Sequence, residues 1–151
     1  MKSFIHEPAI RRLGKSDGAI FKQQIQLLSE VFGEESPGAA PATHLEALLE
    51  NPAFIAFAII QEQEVWGGAT AYILPLYHRA KTEVFLYDIA IHPEYQRQGL
   101  GAKLLSSLIT YCRQEGLGEV FVAAHEGDAG ALDFYRATGG REEKVRHFTY
   151  S

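Results

Sequence analysis

The amino-acid sequence predicts an α/β (α+β) protein in which helices flank a mixed, mostly antiparallel twisted sheet. The chain has 151 residues, a typical length for one domain, so a single domain over residues 1–151 is expected. Three closely spaced runs are rich in β-branched and aromatic residues, as in an antiparallel meander. The sequence then changes to a helical period, and helices alternate with short strands.

The N-terminal half contains two helical patterns followed by the meander. Large apolar residues recur at helical spacing from Phe21 to Phe32 and predict an amphipathic helix over about residues 18–32. After a loosely composed loop, residues 43–50 form a second helix, which stops at Asn51 because a residue before proline disfavours the helical conformation. The three strands are predicted at Phe54–Gln61, residues 65–74 and residues 83–91.

The C-terminal half alternates helices with short strands. Apolar residues from Leu100 to Cys112 lie on one helical stripe, which ends at Gly116. The remaining elements are predicted as a strand over residues 119–124, a helix over residues 128–138 and a terminal strand over residues 141–150.

Composition excludes several classes of function. With 14 Lys and Arg against 19 Asp and Glu, the net charge is −5, whereas a nucleic-acid-binding protein would carry a basic stripe. A modestly acidic surface is instead compatible with a cationic small molecule. The lone Cys112 excludes an internal disulfide and a cysteine-based metal cluster, and the six histidines show no metal-ligand spacing, so no metal is expected.

The sequence also predicts neither a membrane-spanning helix nor a secretory signal. The longest strongly apolar run, residues 53–60, is far shorter than the ~20 residues that a membrane helix needs. The N-terminus lacks the apolar core and cleavage site of a secretory signal. We therefore expect a cytoplasmic protein without a membrane partner.

The most informative stretch follows the third predicted strand, where a proline turn and a loop with two glycines lead into a helix. Unpaired N–H groups and the helix dipole at such an N-terminus bind phosphate, and Gly99 and Gly101 let a ligand approach the backbone. A Walker motif is excluded because Ala102 follows Gly101, and a dinucleotide fingerprint because Leu104 occupies the place of the third glycine. A plain loop with a glycine-permitted helix start is the alternative.

Residues 96–101, Gln-Arg-Gln-Gly-Leu-Gly, resemble the acyl-CoA signature (Gln/Arg)-x-x-Gly-x-(Gly/Ala) of the GCN5-related N-acetyltransferases. The order of strand, proline turn, signature and amphipathic helix is also similar. The resemblance implies a single N-acetyltransferase domain with acetyl-CoA as co-substrate, its pyrophosphate wrapped by this loop and its pantetheine arm paired with the preceding strand. The residues that the resemblance assigns to the cofactor are Ile89, Ala90, Ile91, Gln96, Arg97, Gln98, Gly99, Gly101, Ala102, Ala131 and Tyr135.

Residues 128–139 resemble a second signature of that superfamily, Asn-x-x-Ala-x-x-Phe-Tyr-x-x-x-Gly-Phe. Its tyrosine, here Tyr135, commonly lies beside the CoA sulfur, where a phenol O–H can protonate the departing thiolate. Packing of the helix on the sheet is the alternative role for this ring. Asp128 replaces the usual asparagine, which we interpret as a helix N-cap, and Gly140 replaces the usual large apolar residue.

The amine that accepts the acetyl group must lose a proton before it attacks, so the site needs a base. Asp88 is the strongest candidate because it is a carboxylate inside an otherwise apolar run, and such a group is costly to bury unless it is paired. A structural hydrogen bond is the alternative. The carboxylates predicted to contact a cationic substrate are Asp88, Glu34, Glu35, Glu126, Asp128, Glu142 and Glu143.

Over about residues 44–149 the chain is similar to the gentamicin-type aminoglycoside 3-N-acetyltransferases. The runs that carry this resemblance are residues 54–56 (FIA), 71–75 (AYILP), 87–91 (YDIAI), 97–99 (RQG) and 141–148 (REEKVRHF). It implies acetylation of the 3-amino group of the deoxystreptamine ring, and so antibiotic resistance. The expected mechanism is direct transfer in a ternary complex. Asp88 would be the base, a free N–H near Ala90, where the sheet splays, would polarise the thioester, and Tyr135 would assist thiolate departure.

Three points stay open in the sequence. Another amine, such as a polyamine or a protein N-terminus, is an alternative acceptor. A non-catalytic acyl-CoA-binding module is a further alternative, which the presence of both Asp88 and Tyr135 disfavours. A homodimer is common in the superfamily, but no residue in the sequence establishes one.

Overall fold

The meander predicted from the sequence forms the centre of the structure, a computed structural model that describes residues 6–34, 40–78 and 80–151. Within these residues five strands form one sheet in the order β1-β2-β3-β4-β5. The elements in chain order are β1 (Ala9–Arg12), α1 (Gly18–Val31), α2 (Ala42–Glu50), β2 (Phe54–Gln61), β3 (Glu64–Pro75), β4 (Thr82–Ile91), a 3-10 turn (Pro93–Tyr95), α3 (Leu100–Gln114), β5 (Val120–Val122) and α4 (Ala129–Ala137).

The sheet is mixed, as predicted. β1, β2, β3 and β4 are joined by antiparallel pairing, and β5 pairs parallel with β4. A two-residue turn connects β2 to β3, and both of its residues, Glu62 and Gln63, have positive φ angles, 47° and 71°. Turns of this kind match the right-handed twist of the strands that they join.

Helices cover both faces of the sheet. On one face the buried leucines Leu104 and Leu108 of α3 pack against Ile55 and Leu86 of the central strands. On the other face α1 and α2 bury Phe21 and further apolar side chains against β2 and β3. None of the helices in the described part of the chain combines the length and the apolar character needed to cross a membrane.

The two ends of the chain differ from the sequence-based prediction. No strand is predicted before the first helix, but Ala9–Arg12 pairs with β2. The predicted terminal strand over residues 141–150 is not a strand in this chain, and all of these residues are exposed. A strand requires a neighbour for its backbone N–H and C=O groups, and residues 141–150 do not pair with any described strand.

Candidate active site

A β-bulge in β4 sets the position of Asp88. Thr70 of β3 pairs with Asp88, whereas the next residue of β3, Ala71, pairs with Leu86, so Tyr87 is the extra residue on β4. A bulge of this kind bends the strand and redirects the side chains beside it. It therefore gives Asp88 an orientation that regular alternation along the strand does not predict.

Asp88 lies beside a second carboxylate. Burial raises the pKa of Asp88 above its usual value, the negative charge of Glu34 raises it further, and hydrogen bonding to the Thr70 side chain opposes both effects. Glu34 is fixed by the end of α1, where its N–H donates to the carbonyl oxygen of Ser29 at 3.0 Å. Two carboxyl groups with interacting charges form a favourable site for a cationic amine.

Tyr135 belongs to the same site. The phenol is half-buried, and burial raises its pKa, with further contributions from the negative charges of Asp128 and Asp88. A raised pKa keeps the hydroxyl protonated at neutral pH, as a proton donor requires. The two residues predicted to act as base and acid are therefore close enough for their charges to affect one another.

α4 carries Tyr135 and has defined ends. Its N-cap is Asp128, whose Oδ1 accepts a hydrogen bond from the N–H of Ala131 at 3.0 Å, which confirms the interpretation of Asp128 as a cap. At the other end the N–H groups of Gly139 and Gly140 donate to the carbonyl oxygens of Arg136 and Tyr135 at 3.1 and 2.8 Å. This is the Schellman arrangement, in which Gly139, with a φ angle of 91°, ends the helix and Gly140 follows it.

Two further tyrosines border Asp88, and neither is among the residues that the sequence predicts for the site. Burial raises the pKa of Tyr72, and the nearby Tyr87 and Asp88 raise it further. The rings of Tyr72 and Tyr87 meet edge to face with centroids 5.9 Å apart, and Tyr72 also contacts Phe54. Aromatic residues are ordinary in strands, so only the pairing of β3 with β4 shows that Tyr72 lies near the carboxylate.

The sheet opens beside the site. β5 pairs with β4 only at Val84, Phe85 and Leu86, so residues 87–91 have no strand on that side among the described residues. This open edge agrees with the predicted splay near Ala90, which stays a prediction. Residues 89–91, which are expected to pair with pantetheine, lie on this open edge. A ligand can hydrogen-bond to their backbone there.

The loop after β4 presents a helix N-terminus. The side-chain amide of Gln96 donates to the carbonyl oxygen of Ile91 at 2.9 Å, which fixes the start of the loop to the strand. Arg97 and Gly99 have positive φ angles, 63° and 77°, and Gly99 is the N-cap residue of α3 without a side-chain cap. The first N–H groups of α3 are thus available to an anion.

The other predicted cofactor residues lie around that N-terminus. Ala102 is exposed in the first turn of α3, Gln98 is partly buried before it, and Ala131 is partly buried in the first turn of α4. A Cβ on Gly101 would lie 3.2 Å from a ring carbon of Phe134. Gly101 therefore also lets α4 pack closely on α3, a contact that the motif alone does not indicate.

The remaining predicted acidic residues divide into three groups. Glu142 forms an ion pair with Arg136 at 2.9 Å on the exposed side of α4, and its contact with a substrate stays a prediction. Glu126 and Glu143 are exposed, and their contact with a substrate stays a prediction. Glu35 lies outside the described residues. Within the described chain no group of three or more His, Cys, Asp or Glu side chains is arranged to hold a metal ion.

Comparison with known proteins agrees with this geometry. Residues 21–139, more than half of the chain, match the family model described as the acetyltransferase (GNAT) family. A solved structure of an aminoglycoside acetyltransferase, meta-AAC0020, from an uncultured soil metagenomic sample in complex with sisomicin is 36% identical, with a TM-score of 0.92 and 95% of both chains covered. A second soil aminoglycoside acetyltransferase, HMB0005, is 25% identical, with a TM-score of 0.87 over 97% of this chain and 99% of that one.

A curated protein matches over a shorter stretch. The [ribosomal protein bS18]-alanine N-acetyltransferase of Escherichia coli (strain K12) is 35% identical over 68 residues, which are 45% of this chain and 46% of that protein. The chain thus spans about half the length of the curated relatives that it matches.

Proposed function

Because the chain belongs to the acetyltransferase (GNAT) family, we propose that it acetylates aminoglycoside antibiotics of the gentamicin type, with acetyl-CoA as acetyl donor. The proposed position is the 3-amino group of the deoxystreptamine ring, and the consequence is antibiotic resistance. The observation that carries this proposal is Asp88, which follows the bulge in β4 and lies within electrostatic reach of both Glu34 and Tyr135. The similarity to a soil enzyme solved with sisomicin supports it.

The charges of the site suit a polycationic acceptor. An aminoglycoside carries several ammonium groups, and each can donate a charge-assisted hydrogen bond to a carboxylate. Asp88, Glu34 and Asp128 supply three carboxylates, while Tyr72 and Tyr87 supply an apolar wall for a sugar ring. A monoamine would engage only part of this arrangement.

The proposed mechanism is direct transfer within a ternary complex. Asp88 accepts a proton from the acceptor ammonium, directly or through one water, and passes it to solvent. The neutral amine attacks the thioester carbonyl carbon while a backbone N–H on the open edge near Ala90 donates to the developing oxyanion. The C–S bond breaks with its electron pair on sulfur, and Tyr135 protonates the thiolate. The nitrogen releases its surplus proton to solvent, from which Tyr135 regains one.

Acetylation of a protein N-terminus is the second candidate function. It is favoured by the local identity to the ribosomal-protein alanine acetyltransferase. A peptide presents one α-amino group, so several carboxylates would add little to its binding. It would instead need a groove that holds its backbone. The acidic site therefore favours the aminoglycoside.

The proposed function is tested by comparing acceptors. Release of the CoA thiol is measured with gentamicin, sisomicin, spermidine and an N-terminal peptide, and the acetylated nitrogen of each product is located by NMR. We expect the highest kcat/KM with the aminoglycosides and modification at the 3-amino nitrogen. A preference for spermidine or the peptide would contradict the proposal, and modification at another ring nitrogen would contradict its regiochemistry.

The roles of the two site residues are tested by conservative variants. We expect Asp88→Asn and Tyr135→Phe each to lower kcat by roughly 10²-fold or more, because each removes a positioned acid–base group. Asp133→Asn is the matched control, since Asp133 is an exposed carboxylate on the same helix as Tyr135. Wild-type kcat in both site variants would refute the acid–base assignment.

A further inference from the structure

Four aromatic rings form a continuous row across the face of the sheet on which Asp88 lies. Tyr72, Phe85 and Phe121 are directly opposite one another on β3, β4 and β5. Side chains that face each other across paired strands lie on the same side of a sheet. Tyr87, the extra residue of the bulge, meets both Tyr72 and Phe85 edge to face. The four rings together are called the aromatic row.

The aromatic row begins beside Asp88. Thr70, the partner of Asp88, and Tyr72 are two residues apart on β3, so their side chains point to the same face of the sheet. From Tyr72 to Phe121 the ring centroids follow one another in steps of 5.9, 5.8 and 5.0 Å. β3 and β5 are separated by two strand spacings, about 10 Å, which is about the length of two sugar rings. The row therefore leads away from the carboxylate toward β5.

This line of cross-strand rings is buried at one end only. Phe54, the partner of Tyr72 on β2, is 4% exposed and packs beneath α1 and α2. Tyr72, Tyr87 and Phe121 instead remain 38%, 60% and 43% exposed. A contiguous exposed apolar surface with polar groups at its border commonly marks a ligand-binding groove. Here the polar border is the carboxylate of Asp88.

Amino sugars suit such a surface. The C–H faces of a sugar ring are apolar and stack on aromatic rings, whose faces carry partial negative charge. An ammonium group over the same ring is attracted by that charge. Phe85 and Phe121 are nearly parallel, with an interplanar angle of 11°, and Phe121 is the outermost ring of the row. A single-ring amine held at Asp88 would not reach Phe121.

We propose that the aromatic row binds the outer sugar rings of an acceptor whose reacting amine lies at Asp88, with Phe121 as a specificity-determining residue. The enzyme then favours acceptors in which further amino-sugar rings are linked to the reacting ring. This inference rests on the proposed function. It adds that the acceptor is recognised beyond the reacting ring by aromatic side chains as well as by carboxylates.

The subsite is tested by comparing two acceptors. 2-Deoxystreptamine has one ring, and sisomicin has this ring with two sugars attached. Their Kd values are measured by isothermal titration calorimetry in the presence of CoA, which cannot donate an acetyl group. Phe121→Leu should weaken sisomicin binding about 2- to 5-fold, the effect expected for the loss of one exposed cation–π contact, and should leave the Kd of 2-deoxystreptamine unchanged.

Two matched variants serve as controls, and none of the three changes alters the net charge. Phe121→Tyr retains an aromatic ring and should retain the wild-type Kd for sisomicin. Tyr77→Leu removes a ring that is 99% exposed between β3 and β4, outside the aromatic row, and should also have no effect. Circular dichroism checks that each variant is folded. An unchanged Kd for sisomicin in Phe121→Leu, or an equal loss for both acceptors, overturns the proposal.

NMR of the bound acceptor tests the same contact in the wild-type protein. Protons stacked on an aromatic face shift upfield, so the outer-ring protons of sisomicin should shift upfield on binding, and less so with Phe121→Leu. Absence of this shift in the wild-type complex also overturns the proposal. Neither measurement requires turnover. Binding of sisomicin that depends on Phe121, without its acetylation, would therefore refute the proposed function alone, whereas acetylation with binding insensitive to Phe121 would refute the subsite alone.

Discussion

At the scale of single residues, two neighbours of Asp88 act on its pKa in opposite directions. Burial and the Glu34 charge raise the pKa, and hydrogen bonding to Thr70 lowers it. In the proposed mechanism Asp88 must be deprotonated to act, so kcat/KM is expected to fall as the pH drops through the pKa of Asp88. Because the pKa of Asp88 is raised, the decrease of kcat/KM at low pH, called the acid limb here, lies closer to neutral pH. A carboxylate with a higher pKa is also a stronger proton acceptor.

The prediction at this scale is a pair of opposite shifts. Glu34→Gln removes a charge that raises the pKa of Asp88, so the acid limb of kcat/KM should move to lower pH. Thr70→Val removes a hydrogen bond that lowers the pKa, so the limb should move to higher pH. The measurement is kcat/KM against pH at constant ionic strength with sisomicin. Shifts of both variants in the same direction would show that another group controls this limb.

At the scale of secondary-structure elements, the position of α1 depends on its close contact with β3. A Cβ on Gly68 would lie 2.5 Å from Cγ of Gln24, a fully buried side chain whose amide donates to the carbonyl oxygen of Ala69 at 3.1 Å. The glycine therefore lets the helix lie directly on the strand. Since Glu34 follows the end of α1, this contact also sets the spacing between Glu34 and Asp88.

We predict that Gly68→Ala moves α1 away from the sheet. The free energy of unfolding should fall by about 1–3 kcal/mol, the usual cost of overpacking, and KM for the aminoglycoside should rise as Glu34 moves away. Adding Gln24→Ala removes the clashing atoms, so the double variant should be more stable than the sum of the two single changes. Urea denaturation and steady-state kinetics measure both effects. Strictly additive losses would show that the two residues are not coupled.

The elements that the sequence predicts are those with a local signal. The apolar periods of α1 and α3 and the composition of the meander predict their strands and helices to within about two residues. The sequence indicates Asp128 as an N-cap, and its side chain does cap α4. Asp88 can be identified from the sequence because its carboxylate interrupts an otherwise apolar strand. This feature does not depend on which residues pair with the strand.

The features that the sequence does not predict depend on pairing between distant segments. β1 is short and forms by pairing with β2, so its own residues give little signal. The bulge at Tyr87 is a property of the register between β3 and β4. The pattern of residues 141–150 predicts a strand, but a strand also needs a partner, and residues 141–150 pair with none of the described strands.

At the scale of the whole molecule, the net charge of −5 is expected to favour the binding of a polycationic substrate. A negative protein attracts a polycation from a distance, and carboxylates gathered at one site strengthen that attraction locally. Salt screens such interactions, with a Debye length of about 10 Å at 0.1 M. The attraction should therefore depend on salt far more for an aminoglycoside than for an amine with one charge.

We predict that kcat/KM for sisomicin falls several-fold between about 0.05 and about 0.5 M salt, while kcat/KM for a monoamine changes little. Glu34→Gln should reduce this salt dependence, because it removes a carboxylate beside Asp88. Glu115→Gln changes the net charge equally but lies at the opposite end of α3 from the Gly99 loop, so it should retain the wild-type dependence. Initial rates at low acceptor concentration measure the slopes. Equal slopes for the two variants would mean that overall charge, and not the carboxylates of the site, attracts the substrate.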